Sequence, residues 1–246
     1  MRLVGLRISL LFFAAVLTAL IVSAATGAAF APSLTTQLSA LYFIPVNVVC
    51  LLLLRRSLHT RGSTLRALAG FDRSRLARDV LQGLMWLFVL FIPFVLVVNL
   101  VMLIMFGAGG MLAAFETVFA PDPTLVVEFA PWFAWASALI TAVLFPLTNA
   151  PAEELVYRGH AQGGLFTAGS PAWLALGLPA VAFGAQHVLL APSPAGMVVF
   201  GCAFFAWGLG AGLIYKKQGR LMPVIVAHFI TNLMFAIAPV IILFVM

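Results

Sequence analysis

Residues 149–160 read Asn-Ala-Pro-Ala-Glu-Glu-Leu-Val-Tyr-Arg-Gly-His, and they place two adjacent carboxylates and an arginine at the end of a long apolar run. The 246-residue chain has only seven acidic residues, and two of them are here. An ionisable side chain inside a bilayer costs roughly 2.5 to 3.5 kcal/mol on insertion scales, so Glu153, Glu154 and Arg158 have to pair or face a wet cavity. On a helix Glu154 and Arg158 are four apart with the acid first, the favoured order for an ion pair. Glu153 lies about 100° round the same helix and cannot share that geometry equally. The pattern predicts one acid neutralised by Arg158 and one left available for chemistry. Taken alone, the stretch also fits a charge cluster at the end of a membrane helix.

The composition around this stretch sets the class. Hydrophobic residues make up 64% of the chain and charged residues 8%, far outside the globular range, which predicts an all-α, polytopic transmembrane helical bundle of about seven spans in one membrane domain, 1–246. The net charge of +6 is not a nucleic-acid footprint, because the basic residues sit in short segments between apolar runs. Nucleic acid is therefore excluded as a partner, and the lipid bilayer is implied. Cys50 and Cys202 both fall in apolar runs, without metal-ligand spacing or a disulfide framework, and read as packing residues.

Backwards from the acidic pair, the fourth span begins between Trp132 and Ser137 and runs inward through Pro146, where a kink is expected. Residues 107–131 before it carry Glu116, Asp122 and Glu128 with no lysine or arginine, an outside loop whose residues 125–129 are candidates to dip into the interface. The third span covers about 80–106. Between 55 and 79 lies the longest basic stretch, with seven arginines, which the positive-inside rule places in the cytoplasm. Within it, Arg66, Arg73 and Arg78 with Leu65, Leu68, Leu76 and Val80 fit either a short amphipathic surface helix or a solvated loop. The second span is about 38–54. The first, about 8–30 behind Arg2 and Arg7, is a membrane span or, given the small residues 23–25, a cleavable signal peptide.

Forwards from the acidic pair, a fifth span over about 172–191 contains His187. The sixth, about 195–215, reads as scaffold, with Gly208 and Gly212 at a spacing that allows close helix contact. A basic turn, Lys216-Lys-Gln-Gly-Arg220, precedes a seventh span that carries His228 and Asn232 on one face. The organisation is thus N-terminal spans and a basic cytoplasmic loop in 1–130, and a polar core in 131–246. A lone intramembrane histidine is usually a packing residue. Pooled with Glu153, Glu154, Arg158, His228 and Asn232, however, His187 belongs to a set that lipid would leave unsatisfied unless it gathers into one site.

Glu153-Glu154-x-x-x-Arg158, Phe183-x-x-x-His187 and His228-x-x-x-Asn232, in that order on successive polar helices, resemble the three-motif signature of the CPBP family. These are the CAAX-protease and bacteriocin-processing intramembrane glutamic endopeptidases, related to Rce1. The resemblance covers roughly 130–240 and implies a catalytic core in 131–246. It also implies Glu153, His187, His228 and Asn232 as catalytic residues, Glu154 and Arg158 as supporting ones, no cofactor and no metal, and a site open to the cytosolic side. His160, just outside the signature, reads as interfacial.

The residues fit that chemistry independently. Peptide hydrolysis without a serine or cysteine nucleophile needs a base for water and donors for the oxyanion, roles open to Glu153 with His187 and to His228 with Asn232. The implied partner is a membrane-embedded or hydrophobic peptide, and the expected location is a prokaryotic cell membrane, multi-pass, N-terminus in the cytoplasm. Two alternatives stand beside it. One is a zinc-dependent hydrolase with Glu153, His187 and His228 as ligands; the other is a non-catalytic membrane partner, such as a bacteriocin-immunity protein, or a proton-coupled carrier. One feature conflicts: counted from Ala172, His187 falls beyond the membrane midplane, whereas Glu153 and His228 fall nearer the cytosolic side.

Overall fold

A computed structural model describes residues 1–120 and 126–245, with residues 32 and 33 described by backbone only. Asp122 and Leu125, which the sequence places in the outside loop, lie outside the described residues. The structure is 86% helical. Among the described residues, seven helical segments are long and apolar enough to cross a membrane, and no strand occurs. Helix is what the composition demands, because a backbone in hydrocarbon has to satisfy its own N–H and C=O groups.

The elements in order are α1 (Arg2–Thr26), a 3-10 segment (Pro32–Leu38), α2 (Ser39–His59), α3 (Leu65–Ala69), α4 (Leu76–Gly110), α5 (Ala114–Phe119) and α6 (Pro131–Glu153). A π-helical stretch (Glu154–Gln162) joins α6 to α7 (Gly163–Thr167), followed by α8 (Ala172–His187), a 3-10 turn (Val188–Leu190), α9 (Pro194–Gln218) and α10 (Met222–Val245). Helix α6 packs against α10 and α2, α8 against α9, α4 against both α9 and α10, and α1 against α2. Large apolar side chains such as Phe88, Ile104 and Phe235 point outward, as lipid-facing residues do.

The two ends of the bundle differ. At one, Arg220 holds Asp79 through two hydrogen bonds of 2.7 and 2.9 Å and donates to the Gly70 carbonyl, tying the start of α4 and the end of α3 to the turn between α9 and α10. That turn is made by Gly219, whose φ of 70° closes α9. This end carries the Arg55–Arg78 stretch and Lys216-Lys217. At the other, the Gln37 side chain accepts from the Val127 amide and the Ser193 hydroxyl donates to the Val118 carbonyl, and the described residues include no lysine or arginine between Arg78 and Arg158.

One expectation is corrected. The basic stretch is neither a surface amphipathic helix nor wholly a solvated loop. Thr64 caps a single short helix, α3, which stops at Gly70 with φ 66°, and Leu65 and Leu68 pack into the core. Pro146 lies inside α6, and beyond the acidic pair, at Glu154–Gln162, i→i+5 bonding widens the helix.

Candidate active site

The conflict over depth disappears in the hairpin formed by α6 and α8. The α6 helix does not stop at the acidic pair but continues through the π-helical stretch to Thr167. Ala172 therefore starts α8 well beyond the level of Glu153. Fourteen residues descend from Glu153 to Thr167 and fifteen climb from Ala172 to His187, so the two arms return the chain to the same level. Gln186, the neighbour of His187, donates to Glu153 Oε1 at 2.7 Å.

Glu153 has a partner that its own helix does not provide. Arg7 of α1, wholly buried, donates from Nη2 to Glu153 Oε1 at 2.9 Å and to Asn149 Oδ1 at 3.3 Å, and from Nε to Gln186 Oε1 at 3.0 Å. Tyr157 donates to the same Gln186 oxygen at 2.8 Å. Glu153 Oε1 is thus held from two sides, while Oε2 makes no hydrogen bond. Sequence reasoning counted Arg7 as a topology signal behind the first span. The missed cue was its position one turn further into the apolar run than Arg2, where a charge is costly unless it serves something.

Glu154 is also paired, as its spacing predicts: Arg158 Nη1 lies 3.1 Å from Oε1. The same oxygen lies 2.7 Å from His228 Nδ1, and the other ring nitrogen of His228 lies 3.4 Å from Glu153 Oε2. His228 thus pairs with Glu154 and lies close to Glu153, whose Oε2 stays without a hydrogen bond. Arg158 stacks over the Phe183 ring at 4.3 Å and donates to the Gly208 carbonyl at 3.3 Å, and one turn on Gln162 donates to the Gly212 carbonyl at 2.9 Å. Gly208 and Gly212 are thus more than spacers. A Cβ at Gly212 would lie 2.8 Å from Gln162 Oε1, so the absence of a side chain lets the amide reach the backbone. Gln162 escaped the sequence reading, although residues 158 and 162 repeat the four-residue interval of 208 and 212.

His187 is oriented by its own helix: Nδ1 lies 2.7 Å from the Phe183 carbonyl, which assigns the proton to Nδ1 and leaves Nε2 as the acceptor. Its ring stacks on Phe204 at 3.7 Å with an 11° interplanar angle. Asn232, one turn beyond His228 on α10, is buried with its Nδ2 unpartnered. His187, His228 and Asn232 all line one cavity of about 790 Å³. The structure thus gathers all six sequence-predicted polar residues into one centre and adds Arg7, Gln186, Asn149 and Tyr157. His160 is half-buried, and none of the centre's hydrogen bonds involves it. Among the described residues, no three His, Cys, Asp or Glu side chains converge as a metal site would require.

The cavity beside the centre extends along two helices. Its wall follows α6 through Ala134, Thr141 and Asn149 and α10 from His228 to Leu243. It therefore runs away from the basic end of the bundle.

A helical bundle that buries two carboxylates beside two histidines and an asparagine that line an apolar cavity belongs to the class of multi-pass membrane proteins with an intramembrane polar centre. Residues 131–234 match a family model described as Rce1-like, type II CAAX prenyl endopeptidase Rce1-like. The matched stretch is similar to an Rce1-like domain, consistent with the CPBP family of CAAX proteases. The match spans the helices that carry the three motifs and stops short of α1, which carries Arg7. The family indicates a CAAX-type endopeptidase, a hydrolase of the membrane. No curated protein and no solved structure matches the chain.

Proposed function

We propose that the protein is a metal-independent glutamic endopeptidase that hydrolyses membrane-associated, hydrophobic peptides, with Glu153 as the base. The observation that carries the reading is the asymmetry of Glu153: Oε1 is clamped by Arg7 and Gln186, while Oε2 is left without a hydrogen bond. Arg7 supplies the counter-charge that lets a carboxylate be buried here. The clamp fixes the orientation of the remaining lone pairs.

A water between Oε2 of Glu153 and the acceptor Nε2 of His187 gives up a proton to the carboxylate as its oxygen bonds to the scissile carbonyl carbon. The carbonyl oxygen becomes an oxyanion, for which the Nε2 proton of His228 and the Nδ2 donors of Asn232 are the available partners. Glu154 accepts the Nδ1 proton of His228 and so holds that ring in place, a positioning role shared with Arg158 through their ion pair. As the tetrahedral carbon collapses, the C–N bond breaks and the proton taken by Glu153 passes to the leaving amine. Water is thereby divided between the two products.

The test is proteolysis by purified protein in lipid, with a quenched-fluorescent apolar peptide as substrate. Activity insensitive to EDTA and lost in Glu153→Gln is the expected result. Activity removed by chelation and restored by zinc would replace this mechanism with the metal-dependent one.

A further inference from the structure

Helix α9, which the sequence marks as scaffold, presents an aromatic wall to both histidines, and the inference it supports rests on the proteolytic reading above. Phe204 and Trp207 are three apart and share one face of the helix. Phe204 stacks on the His187 ring, and the Trp207 ring lies 6.0 Å from that of His228 at an interplanar angle of 64°. Phe94 of α4 meets the two aromatic rings edge-on, at 5.2 and 6.3 Å. The backbone beside Trp207 is fixed as well. Arg158 donates to the Gly208 carbonyl, and a Cβ on Gly208 would lie 3.2 Å from Ala180 Cα and 3.3 Å from Phe183 Cβ, so the bare glycine lets α9 seat against α8.

Packing accounts for the ring of Trp207 but not for its nitrogen. An indole N–H is a donor only, and it usually finds a partner when buried. Trp207 is 3% exposed and lines the cavity with His187, His228 and Asn232, yet its Nε1 makes no hydrogen bond. Hydroxyls of the wall are already committed: Ser137 donates to the Ala134 carbonyl and Thr231 to the Ala227 carbonyl, each within its own helix. Among the described buried side-chain donors of the wall, Trp207 Nε1 and Asn232 Nδ2 are left over. A phenylalanine would cover the same face of α9 without stranding a donor, and a stranded donor in an apolar site costs free energy until something accepts from it. A peptide in the cavity brings such acceptors, one carbonyl per residue, and each of them has left its hydrating water behind.

We infer that Trp207 is a substrate-binding residue whose indole N–H donates to a peptide carbonyl flanking the scissile bond. The carbonyl under attack has His228 and Asn232 as its donors, so Trp207 serves a neighbour. Its bond forms when the peptide seats, before any charge develops, and its loss therefore falls on KM more than on kcat.

The experiment uses the full-length protein in lipid with a neutral, end-blocked alanine-leucine peptide. Two changes are made at position 207: Trp207→Phe, and benzothienylalanine, in which sulfur replaces the indole N–H with the shape retained. Cleavage gives KM and kcat, and the same changes placed in Glu153→Gln give Kd for the uncleaved peptide. Both KM and Kd are expected to rise about three- to tenfold, the ratio one neutral hydrogen bond supports, with kcat falling less. The melting temperature of the peptide-free benzothienylalanine protein is expected to be unchanged or higher, since no internal hydrogen bond is lost. Unchanged KM and Kd in that protein overturn the inference. So does a fall in kcat at constant KM, or a lowered melting temperature, which would mark the N–H as a structural donor. If the peptide binds and Kd shifts but nothing is cleaved, the proteolytic reading fails and this one stands; cleavage indifferent to both changes has the reverse meaning.

Discussion

The two ionised pairs of the centre are built differently. Glu154 and Arg158 are neighbours on one helix, four residues apart, and the pair follows from helix geometry alone. Glu153 and Arg7 are 146 residues apart and meet only because α1 lies against the π-helical stretch. Arg158 also has the Gly208 carbonyl and the Phe183 ring to hold it, whereas Arg7 leaves Nη1 unpartnered and directs its other donors to Glu153, Asn149 and Gln186. The local pair belongs to a redundant network. The long-range pair depends on the docking of one helix, and it sits on the proposed base.

The largest effect expected is that of Glu153→Gln. The amide keeps the shape of the side chain and removes the base, so cleavage should fall by ~10² to 10⁴ or below detection, beyond what the lost counter-charge of Arg7 costs in stability, which a thermal melt of the same variant measures. Retained activity would transfer the base to Glu154 and make the local pair the catalytic one.

Arg7→Met breaks the long-range pair. Removing one partner of a buried ion pair typically costs about 3 to 5 kcal/mol, because the other charge is left uncompensated. Thermal melts in detergent or lipid should show this loss, and Arg7→Met combined with Glu153→Gln should recover a large part of it. If the double variant is no more stable than Arg7→Met alone, Arg7 is not the counter-charge of Glu153. The matching change in the local pair, Glu154→Ala, should lower both thermal stability and activity, since it strands Arg158 and releases His228.

Asn232→Ala removes a donor that touches neither pair. The loss of one oxyanion donor usually costs ~10² to 10³ in kcat with KM little changed. A steady-state comparison with the wild type checks it, and a rise in KM without a fall in kcat would place Asn232 in substrate binding.

The smallest effect belongs to Gly212→Ala. The new methyl would lie 2.8 Å from Gln162 Oε1, so the amide has to move, at a cost of about 1 to 3 kcal/mol for an overpacked contact. Melting temperature reports that cost, and unchanged stability would show that the Gln162 rung adjusts freely.

Much of this was legible before any coordinates. The span count follows from the length of apolar runs against bilayer thickness, and the described residues include seven span-capable helices. The Glu154–Arg158 pair and the shared face of His228 and Asn232 follow from the helical repeat. The level of His187 did not, because counting from Ala172 assumed that the turn before it sits at the membrane surface, whereas α6 and α7 carry the chain further before it turns back. Gln186 and Tyr157 were invisible for a related reason: a neutral polar side chain in a span announces no partner until its neighbours are placed.

Residue order alone determined the class of the molecule, its helical spans and the inventory of polar groups that lipid could not leave unsatisfied. Those depend on hydropathy and on the short-range geometry of a helix, both written along the chain. The tertiary structure alone decided that Arg7 meets Glu153, that His228 pairs with Glu154 beside Glu153, and that the cavity runs away from the basic end of the bundle. Contacts between helices distant in sequence depend on how whole helices pack, and no periodicity within a single helix encodes which of its buried charges faces which neighbour.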